Sequence, residues 1–383
     1  MEQKTILCLV GTRPEAVKMA PVIKALRNAG WANVITACTG QHRELARATL
    51  KEFEISPDID LDVMSHNQSL AALSARLLTA IDGLLDEKKP DLVIAQGDTT
   101  SVMIAGLCSF YRRIPFAHVE AGLRTHDLLA PFPEELNRVI AGRIADIHFA
   151  PTIQARDNLV AERVPSHRIH VTGNTVIDAL YDIVSRPVPN AYPTSPDRSF
   201  ILVTAHRREN FGAPFEGICE ALRILHDRYR DIEFVYPVHP NPNVRDVVYR
   251  KLIGLERMHL IEPVDYPTLA TLLKKCRFVL TDSGGIQEEA PALGKPVLVL
   301  RDETERAEII AAGVGLLVGT NRDRIVAETA RLIEDRAHFD RMSQGGSPFG
   351  DGHAAQRIVK HCASFLGLKN PEYADPETLV DFV

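Results

Sequence analysis

The sequence predicts an α/β protein with two Rossmann-like domains, each a doubly wound parallel sheet, that face a cleft. Residues 6–10 form a continuous apolar run, as buried parallel strands do, and a polar turn and a helical pattern follow it. The same succession restarts at 200–204, after a proline-rich stretch at 187–196. A chain of 383 residues is also long enough for about two domains.

The composition excludes several classes of protein. Hydrophobic residues make up 45% and charged residues 25%, which is typical of a globular domain. A net charge of −6 argues against nucleic acid or an anionic membrane as the main partner. The apolar runs are too short for a signal peptide or a membrane span. Six scattered cysteines without a Cys-x-x-Cys pair indicate reduced core residues of a cytoplasmic protein.

The apolar runs and helical periodicities place the elements and the domain boundaries. The predicted domains span 1–172 and 173–360, and 361–383 form a final segment. Predicted strands of the first domain are 6–10, 34–39, 61–64, 92–95, 116–119 and one ending at 148–151. Predicted strands of the second domain are 200–204, 234–240, 277–280 and 297–300, and helices are expected to dominate after them.

Charged side chains follow several strand ends of the first domain, where open α/β sheets bind ligands. Arg13 and Lys18 follow the first strand, without a Gly-x-Gly-x-x-Gly or Walker motif. Asp98, Glu120 and Glu134 come from later connections at the same edge. Carboxylates gathered in this way suit general acid and base chemistry. The alternatives are solvated charges for the basic pair, a helix cap at Asp98, and a favourable helix-dipole contact at Glu134.

The turn Ser283-Gly284-Gly285 of the second domain lies between a predicted strand and a helix. The first amides of a helix lack intrahelical partners, and the two glycines let a ligand approach, so this turn suits a phosphate. Glu289, one turn further, could accept hydrogen bonds from sugar hydroxyls. His206 and Arg306 follow other strands of the same predicted sheet. The alternative is an ordinary capped helix.

Together these motifs resemble those of the non-hydrolysing UDP-N-acetylglucosamine 2-epimerases. The resemblance rests on 11–21 (GTRPEAVKMAP), 97–100 (GDTT), 118–125 (HVEAGLRT), 133–138 (PEELNR), 206–210 (HRREN), 281–291 (TDSGGIQEEAP) and 301–306 (RDETER). These motifs run in order along nearly the whole chain. The resemblance implies two domains of the glycosyltransferase-B type with a C-terminal segment that packs back on the first domain. It also implies a cytoplasmic homodimer that uses neither a metal nor a nicotinamide.

The resemblance further implies a site and a reaction, the C2 epimerisation of UDP-N-acetylglucosamine (UDP-GlcNAc) to UDP-N-acetylmannosamine (UDP-ManNAc). UDP leaves by anti-elimination and adds back to a 2-acetamidoglucal, and the product supplies units for surface polysaccharides. The implied catalytic residues are Asp98, Glu120, Glu134 and His206. The implied substrate-binding residues are Arg13, Lys18, Ser283, Gly284, Gly285, Glu289 and Arg306, and His206 is also expected to contact UDP. The sequence does not assign base and acid among the three carboxylates.

A second substrate molecule binds beside the active site in many bacterial members of this family. Residues that match that allosteric site are Gln41, His42, Arg208 and His239. Asn67 departs from the pattern, because an arginine is expected there, so activation by substrate stays open. Three other functions also stay open, namely a hydrolysing 2-epimerase, a glycosyltransferase and an inactive nucleotide-sugar sensor.

Overall fold

The computed structural model describes residues 3–40, 43–64, 68–187, 194–195 and 197–368. The described chain divides into two compact units. The first takes 3–181 and 349–368, and the second takes the described residues of 182–348. Each unit has its own hydrophobic core under a parallel sheet.

The first unit is a seven-stranded parallel sheet in the order β3-β2-β1-β4-β5-β6-β7. Its strands are β1 Lys4–Val10, β2 Ala32–Cys38, β3 Ile59–Asp60, β4 Leu92–Gln96, β5 Phe116–Val119, β6 Ile147–Ala150 and β7 Ile169–Val171. Its helices are α1 Arg13–Asn28, α2 Arg43–Glu52, α3 Leu70–Lys88, α4 Thr100–Arg112, α5 Glu134–Ile144, α6 Ile153–Ala161 and α7 Thr175–Ser185, which runs into the second unit. The strand order reverses between β1 and β4, so the turns that follow these two strands are neighbours at the carboxyl edge.

The second unit repeats this arrangement with six parallel strands in the order β10-β9-β8-β11-β12-β13. Its strands are β8 Ser199–Thr204, β9 Ile232–Pro237, β10 Met258–Ile261, β11 Val279–Thr281, β12 Val297–Val299 and β13 Gly315–Leu317. Its further helices are α8 Ala213–Arg228, α9 Pro242–Leu252, α10 Tyr266–Lys275, α11 Gly284–Ala292, α12 Ala307–Ala311, α13 Arg322–Glu334 and α14 Arg336–Gln344. The reversal here lies between β8 and β11, which places the His206 and Ser283 turns side by side.

The predicted α/β class with two parallel sheets is confirmed, but the boundaries at 172 and 360 need correction. The units divide after 181 and 348, because both ends of this stretch bond within the first unit. Asn174 donates its backbone N–H to the carbonyl of Phe349 at 2.6 Å. Asp178 accepts two backbone N–H groups at the start of helix α15, Ala354–Phe365. That helix contacts α1, while 369–383 lie outside the described residues.

The prediction of a strand at 61–64 was wrong. The strand lies earlier, at Ile59–Asp60, and Asp62 ends the extended stretch because its φ of +46° is left-handed. Strands β7, β10 and β13 were not predicted, since each has only one buried residue and therefore no continuous apolar run.

All six cysteines are buried free thiols, as the sequence indicates. Among the described residues, none of the helices combines the length and apolar character that a bilayer crossing needs.

Candidate active site

Lys18 and Glu120 pair at the carboxyl edge of the first sheet. Helix α1 begins at Arg13, and Lys18 lies on its second turn. The Lys18 Nζ donates to Glu120 Oε2 at 2.5 Å, and the two side chains are 13% and 9% exposed. Gln96, the last residue of β4, donates its amide to the same oxygen at 2.9 Å. Two residues from separate elements, Lys18 and Gln96, therefore converge on the Glu120 carboxylate.

The backbone at Glu120 is left-handed, with a φ of +62°. Such a conformation is uncommon for a residue with a Cβ atom and clusters at functional sites. The turn that follows is just as constrained, since Gly122 has a φ of +94° and lies against helix α6. The tight turn after β5 thus presents the Glu120 side chain to Lys18 and Gln96.

Asp98 follows β4 and is tied to the helix that carries Glu134. Its Oδ2 accepts from Arg138 Nη2 at 2.5 Å, and its carbonyl accepts from the Asn137 side chain at 2.9 Å. Arg138 lies one turn after Glu134 on α5, which begins at Glu134. Thr99, rather than Asp98, caps α4, so capping does not account for the Asp98 side chain. The structure therefore links the Asp98 turn to the Glu134 helix.

Two buried residues near these carboxylates, Glu15 and His118, were not predicted as part of the site. Glu15 is 3% exposed and accepts the Gly11 N–H at 2.6 Å. Burial raises the pKa of Glu15 to about 7, and the charge of Asp98 adds to that rise, while hydrogen bonds to Gly11, Thr99 and Thr12 oppose it. Glu15 is hard to recognise from the sequence, because it lies on a helix face that is otherwise apolar.

The second group that was not predicted, His118, forms a hydrogen bond with the backbone of the Asp98 turn. Its Nε2 lies 2.7 Å from the carbonyl oxygen of Gly97, so Nε2 carries the proton and donates. Burial lowers the pKa of His118 to about 4, which keeps the ring neutral at pH 7. Gly97 directly precedes Asp98, so this hydrogen bond from His118 fixes the backbone that carries Asp98.

The amide-rich turn of the second unit opens helix α11. Ser283 is the N-cap with extended backbone, and its side chain makes no capping bond within the described residues. A methyl group at Gly284 would lie 3.3 Å from the Arg306 Cζ, so the guanidinium covers this first turn. Glu288 accepts from Arg306 at 2.7 Å and holds it there. The amides and the guanidinium together form a site that suits a phosphate.

Glu289 lies one turn inside α11 and is only 5% exposed. Its Oε1 accepts a hydrogen bond from the hydroxyl of Tyr266 at 2.9 Å. Tyr266 is the first residue of α10. This hydrogen bond fixes one oxygen of the Glu289 carboxylate, on the helix whose first turn suits a phosphate.

His206 follows β8, and its side chain is 39% exposed. Its ring stacks on that of His239 at a centroid distance of 5.3 Å. Burial lowers the pKa of His206, and the neighbouring His239 and Arg207 act in the same direction, while Asp282 opposes them. Arg208 is exposed in the same turn, so two of the predicted allosteric residues lie near His206. The other two, Gln41 and His42, lie outside the described residues, as does Asn67.

The fold defines a class, the proteins with two Rossmann-like domains of the glycosyltransferase-B type. The glycosyltransferase SnogD from Streptomyces nogalater has this fold, with a TM-score of 0.62 over 96% of this chain and 100% of its own, at 17% identity. The family model for UDP-N-acetylglucosamine 2-epimerase matches residues 24–363. The chain belongs to this family, whose members are non-hydrolysing epimerases.

Two relatives show the extent of the similarity. The UDP-N-acetylglucosamine 2-epimerase of Yersinia pestis is 48% identical over 365 residues, which are 93% of this chain and 97% of that protein. The crystal structure of the Neisseria meningitidis enzyme bound to UDP-GlcNAc matches with a TM-score of 0.87 at 42% identity. That match covers 94% of this chain and 100% of the other.

Proposed function

We propose that this protein interconverts UDP-GlcNAc and UDP-ManNAc by removing UDP across C1 and C2 and adding it back to a 2-acetamidoglucal. The observation that carries the proposal is membership of the epimerase family over nearly the whole chain, with all three expected carboxylates present. The ligand named for the Neisseria structure, UDP-GlcNAc, supports the choice of substrate.

The chemistry of elimination suits the residues of the two units. The C2 proton of an N-acetylhexosamine is weakly acidic, so direct abstraction is difficult. Loss of UDP moves the developing negative charge onto the pyrophosphate, where cations and amides stabilise it. The second unit supplies the amides of 283–285 with Arg306 and His206, and the first supplies Arg13 and Lys18. A carboxylate then has only to take the C2 proton.

The three carboxylates differ in their surroundings. Glu120 is held by Lys18 and Gln96, and Asp98 by Arg138. Glu134 begins its helix, where the dipole favours negative charge. Inversion at C2 needs a base on one face of the sugar and an acid on the other, and this set of carboxylates can supply both. The assignment of the two roles stays open among Asp98, Glu120 and Glu134.

Glu289 is proposed to bind the ribose, since its buried carboxylate lies one turn inside α11, the helix whose first turn suits a phosphate.

A cytoplasmic homodimer that supplies ManNAc units for a polysaccharide completes the proposal. Light scattering on the purified chain would test the dimer, for which twice the 42.4 kDa monomer mass is expected. Activation by a second substrate molecule is not included, because Asn67 departs from the family pattern.

One experiment separates this proposal from its alternatives. The protein is incubated with UDP-GlcNAc alone in deuterated water, and the C2 position is followed by NMR. We expect UDP-ManNAc with one solvent deuteron at C2, without any added cofactor, and slow leakage of UDP and the glucal. Stoichiometric free ManNAc would instead indicate a hydrolysing enzyme. Unchanged substrate would indicate a glycosyltransferase that needs an acceptor, or a sensor, and retention of the C2 hydrogen in the product would exclude the mechanism.

A further inference from the structure

Asp282 is a fully buried carboxylate directly after β11, between the strand and the Ser283 turn. Its Oδ2 accepts three hydrogen bonds from the turn after β8. The donors are the His206 N–H at 2.8 Å, the Arg207 N–H at 2.8 Å and the Asn210 Nδ2 at 3.2 Å. A buried carboxylate with this many donors is costly to remove, because each donor would lose its partner. One oxygen of Asp282 therefore fixes the backbone that carries His206.

The other oxygen, Oδ1, accepts no hydrogen bond among the described residues and is shielded from solvent. It lies 3.6 Å from Nδ1 of the His206 ring. This distance is too long for a hydrogen bond, but an anionic oxygen so close to Nδ1 attracts the positive end of an N–H bond there. A carboxylate oxygen beside Nδ1 favours a proton on that nitrogen. The second ring nitrogen, Nε2, is then left to meet a ligand.

The surroundings hold this geometry in place. The hydroxyl of Tyr236 donates to the carbonyl of Ala205 at 2.8 Å, next to His206. The Asn210 side chain also donates to the carbonyl of Leu300 at 3.1 Å, which ties the turn to the residue directly after β12. The hydroxyls of Thr204 and Thr281 contact each other at 2.6 Å, at the ends of β8 and β11. These hydrogen bonds hold the His206 turn in a fixed position next to Asp282.

Among the described residues, the charged or titratable groups that act on the His206 ring are Asp282, His239 and Arg207. Burial, His239 and Arg207 lower the pKa of His206, and Asp282 opposes them. The ring is therefore neutral at pH 7 and carries one proton. A neutral imidazole has one donor nitrogen and one acceptor nitrogen. The position of the proton therefore decides whether Nε2 donates or accepts a hydrogen bond.

We propose that Asp282 is the positioning residue of His206: Oδ2 fixes its backbone, and Oδ1 directs the proton of the neutral ring to Nδ1, so that Nε2 faces a bound ligand. The ligand is UDP if the proposed function is correct, and the proposal rests on that function only for this identity. Asp282 then acts through His206 and touches no reacting atom itself.

The tautomer of His206 can be measured directly in the ligand-free protein. Long-range proton–nitrogen NMR spectra of chain labelled with ¹⁵N-histidine distinguish a protonated Nδ1 from a protonated Nε2, and the His206→Gln variant identifies the signals. We expect the Nδ1–H tautomer in the unmodified chain at a pH above the pKa of the ring. In Asp282→Asn, the Nε2–H form should gain population, and the pKa of His206 should fall, because a nearby opposite charge is lost.

The Asn210→Ala variant is the matched control, because it removes one donor to Oδ2 without changing any charge. It should keep the Nδ1–H tautomer. An Nε2–H tautomer in the unmodified chain would overturn the proposal even if Asp282→Asn does not fold. Equal changes in both variants would also overturn it, because they would trace the effect to a loosened turn. None of these readouts uses turnover, so their failure is distinguishable from failure of the proposed epimerase activity.

Discussion

Lys18 and Glu120 form a close ion pair, with 2.5 Å between Nζ and Oε2, although 102 positions separate them in the chain. The pair joins the first helix to the turn after β5, and both side chains are largely shielded from water. Shielding strengthens the interaction, because a buried pair is screened much less than an exposed one. A residue proposed to hold UDP thus also orients a proposed catalytic carboxylate.

Glu120→Gln should reduce turnover by about a hundredfold or more, as expected for loss of a general acid or base. The amide keeps the size of the side chain and can still accept from Lys18, so UDP binding should change much less. Asp98→Asn and Glu134→Gln should behave in the same way. Initial rates with UDP-GlcNAc and calorimetric titration with UDP measure the two effects separately.

Asp323→Asn is the control for these carboxylate changes. Asp323 is 76% exposed and pairs only with its neighbour Arg322 among the contacts described, so normal turnover is expected. Near-normal turnover in all three site variants would refute the carboxylate assignment.

Glu289→Ala should weaken UDP binding by about 1–3 kcal/mol, the range for unmade hydrogen bonds to a charged group. Tyr266→Phe removes the hydroxyl that donates to Glu289 but leaves the carboxylate. It should therefore cost less, about 1 kcal/mol. Calorimetry with UDP gives both values, and an unchanged affinity in Glu289→Ala would exclude contact with the ribose.

The sequence placed most of the candidate residues correctly at strand ends, because topology alone brings those ends to one edge of a parallel sheet. The sequence did not predict which side chains would form hydrogen bonds or ion pairs with one another. The contact of Lys18 with Glu120 depends on the register of β1, β4 and β5 as well as on the left-handed backbone at Glu120. Such long-range geometry leaves no local pattern in the chain.

Other features were hidden for local reasons. Glu15 stands among apolar residues on α1, where a periodicity argument treats the face as core. Strand β10 has one buried and three partly exposed residues, which makes it too short and too mixed for an apolar run. Asp282 lies inside a recognised motif, but only the structure shows that its carboxylate turns away from the Ser283 amides toward His206.

Gly122→Ala should destabilise the protein strongly. A methyl group there would lie 2.1 Å from the carbonyl oxygen of Ala155, and the φ of +94° is unfavourable for alanine. Overpacking and left-handed strain together should lower the free energy of unfolding by about 3 kcal/mol or more. Urea denaturation followed by circular dichroism measures the loss.

Gly30→Ala in the same unit isolates the strain. Its φ is +73°, but an added methyl group would meet no described atom within 4 Å. Only the conformational cost remains, about 1–2 kcal/mol. Equal losses in the two variants would mean that the Ala155 contact relaxes without cost.

The buried carboxyl of Glu15 should make stability depend on pH. Its pKa in the folded protein is raised from 4.5 to about 7, chiefly by burial. Between these two values the unfolded chain releases the proton while the folded chain keeps it. Stabilisation is therefore complete below pH 4.5, and it is lost as the pH rises toward 7. The ceiling of this loss is about 3 kcal/mol, at roughly 1.4 kcal/mol for each unit of pKa.

Glu15→Gln imitates the protonated carboxyl and cannot ionise, and its amide oxygen can still accept the Gly11 N–H. The variant should match the unmodified chain near pH 4.5 and become more stable than it, by up to about 3 kcal/mol, near pH 8. Thermal melts of both proteins across this range measure the difference. A constant difference between the two melting curves at every pH would show that Glu15 ionises equally in the folded and unfolded chains, and that its burial against Gly11 does not govern its titration.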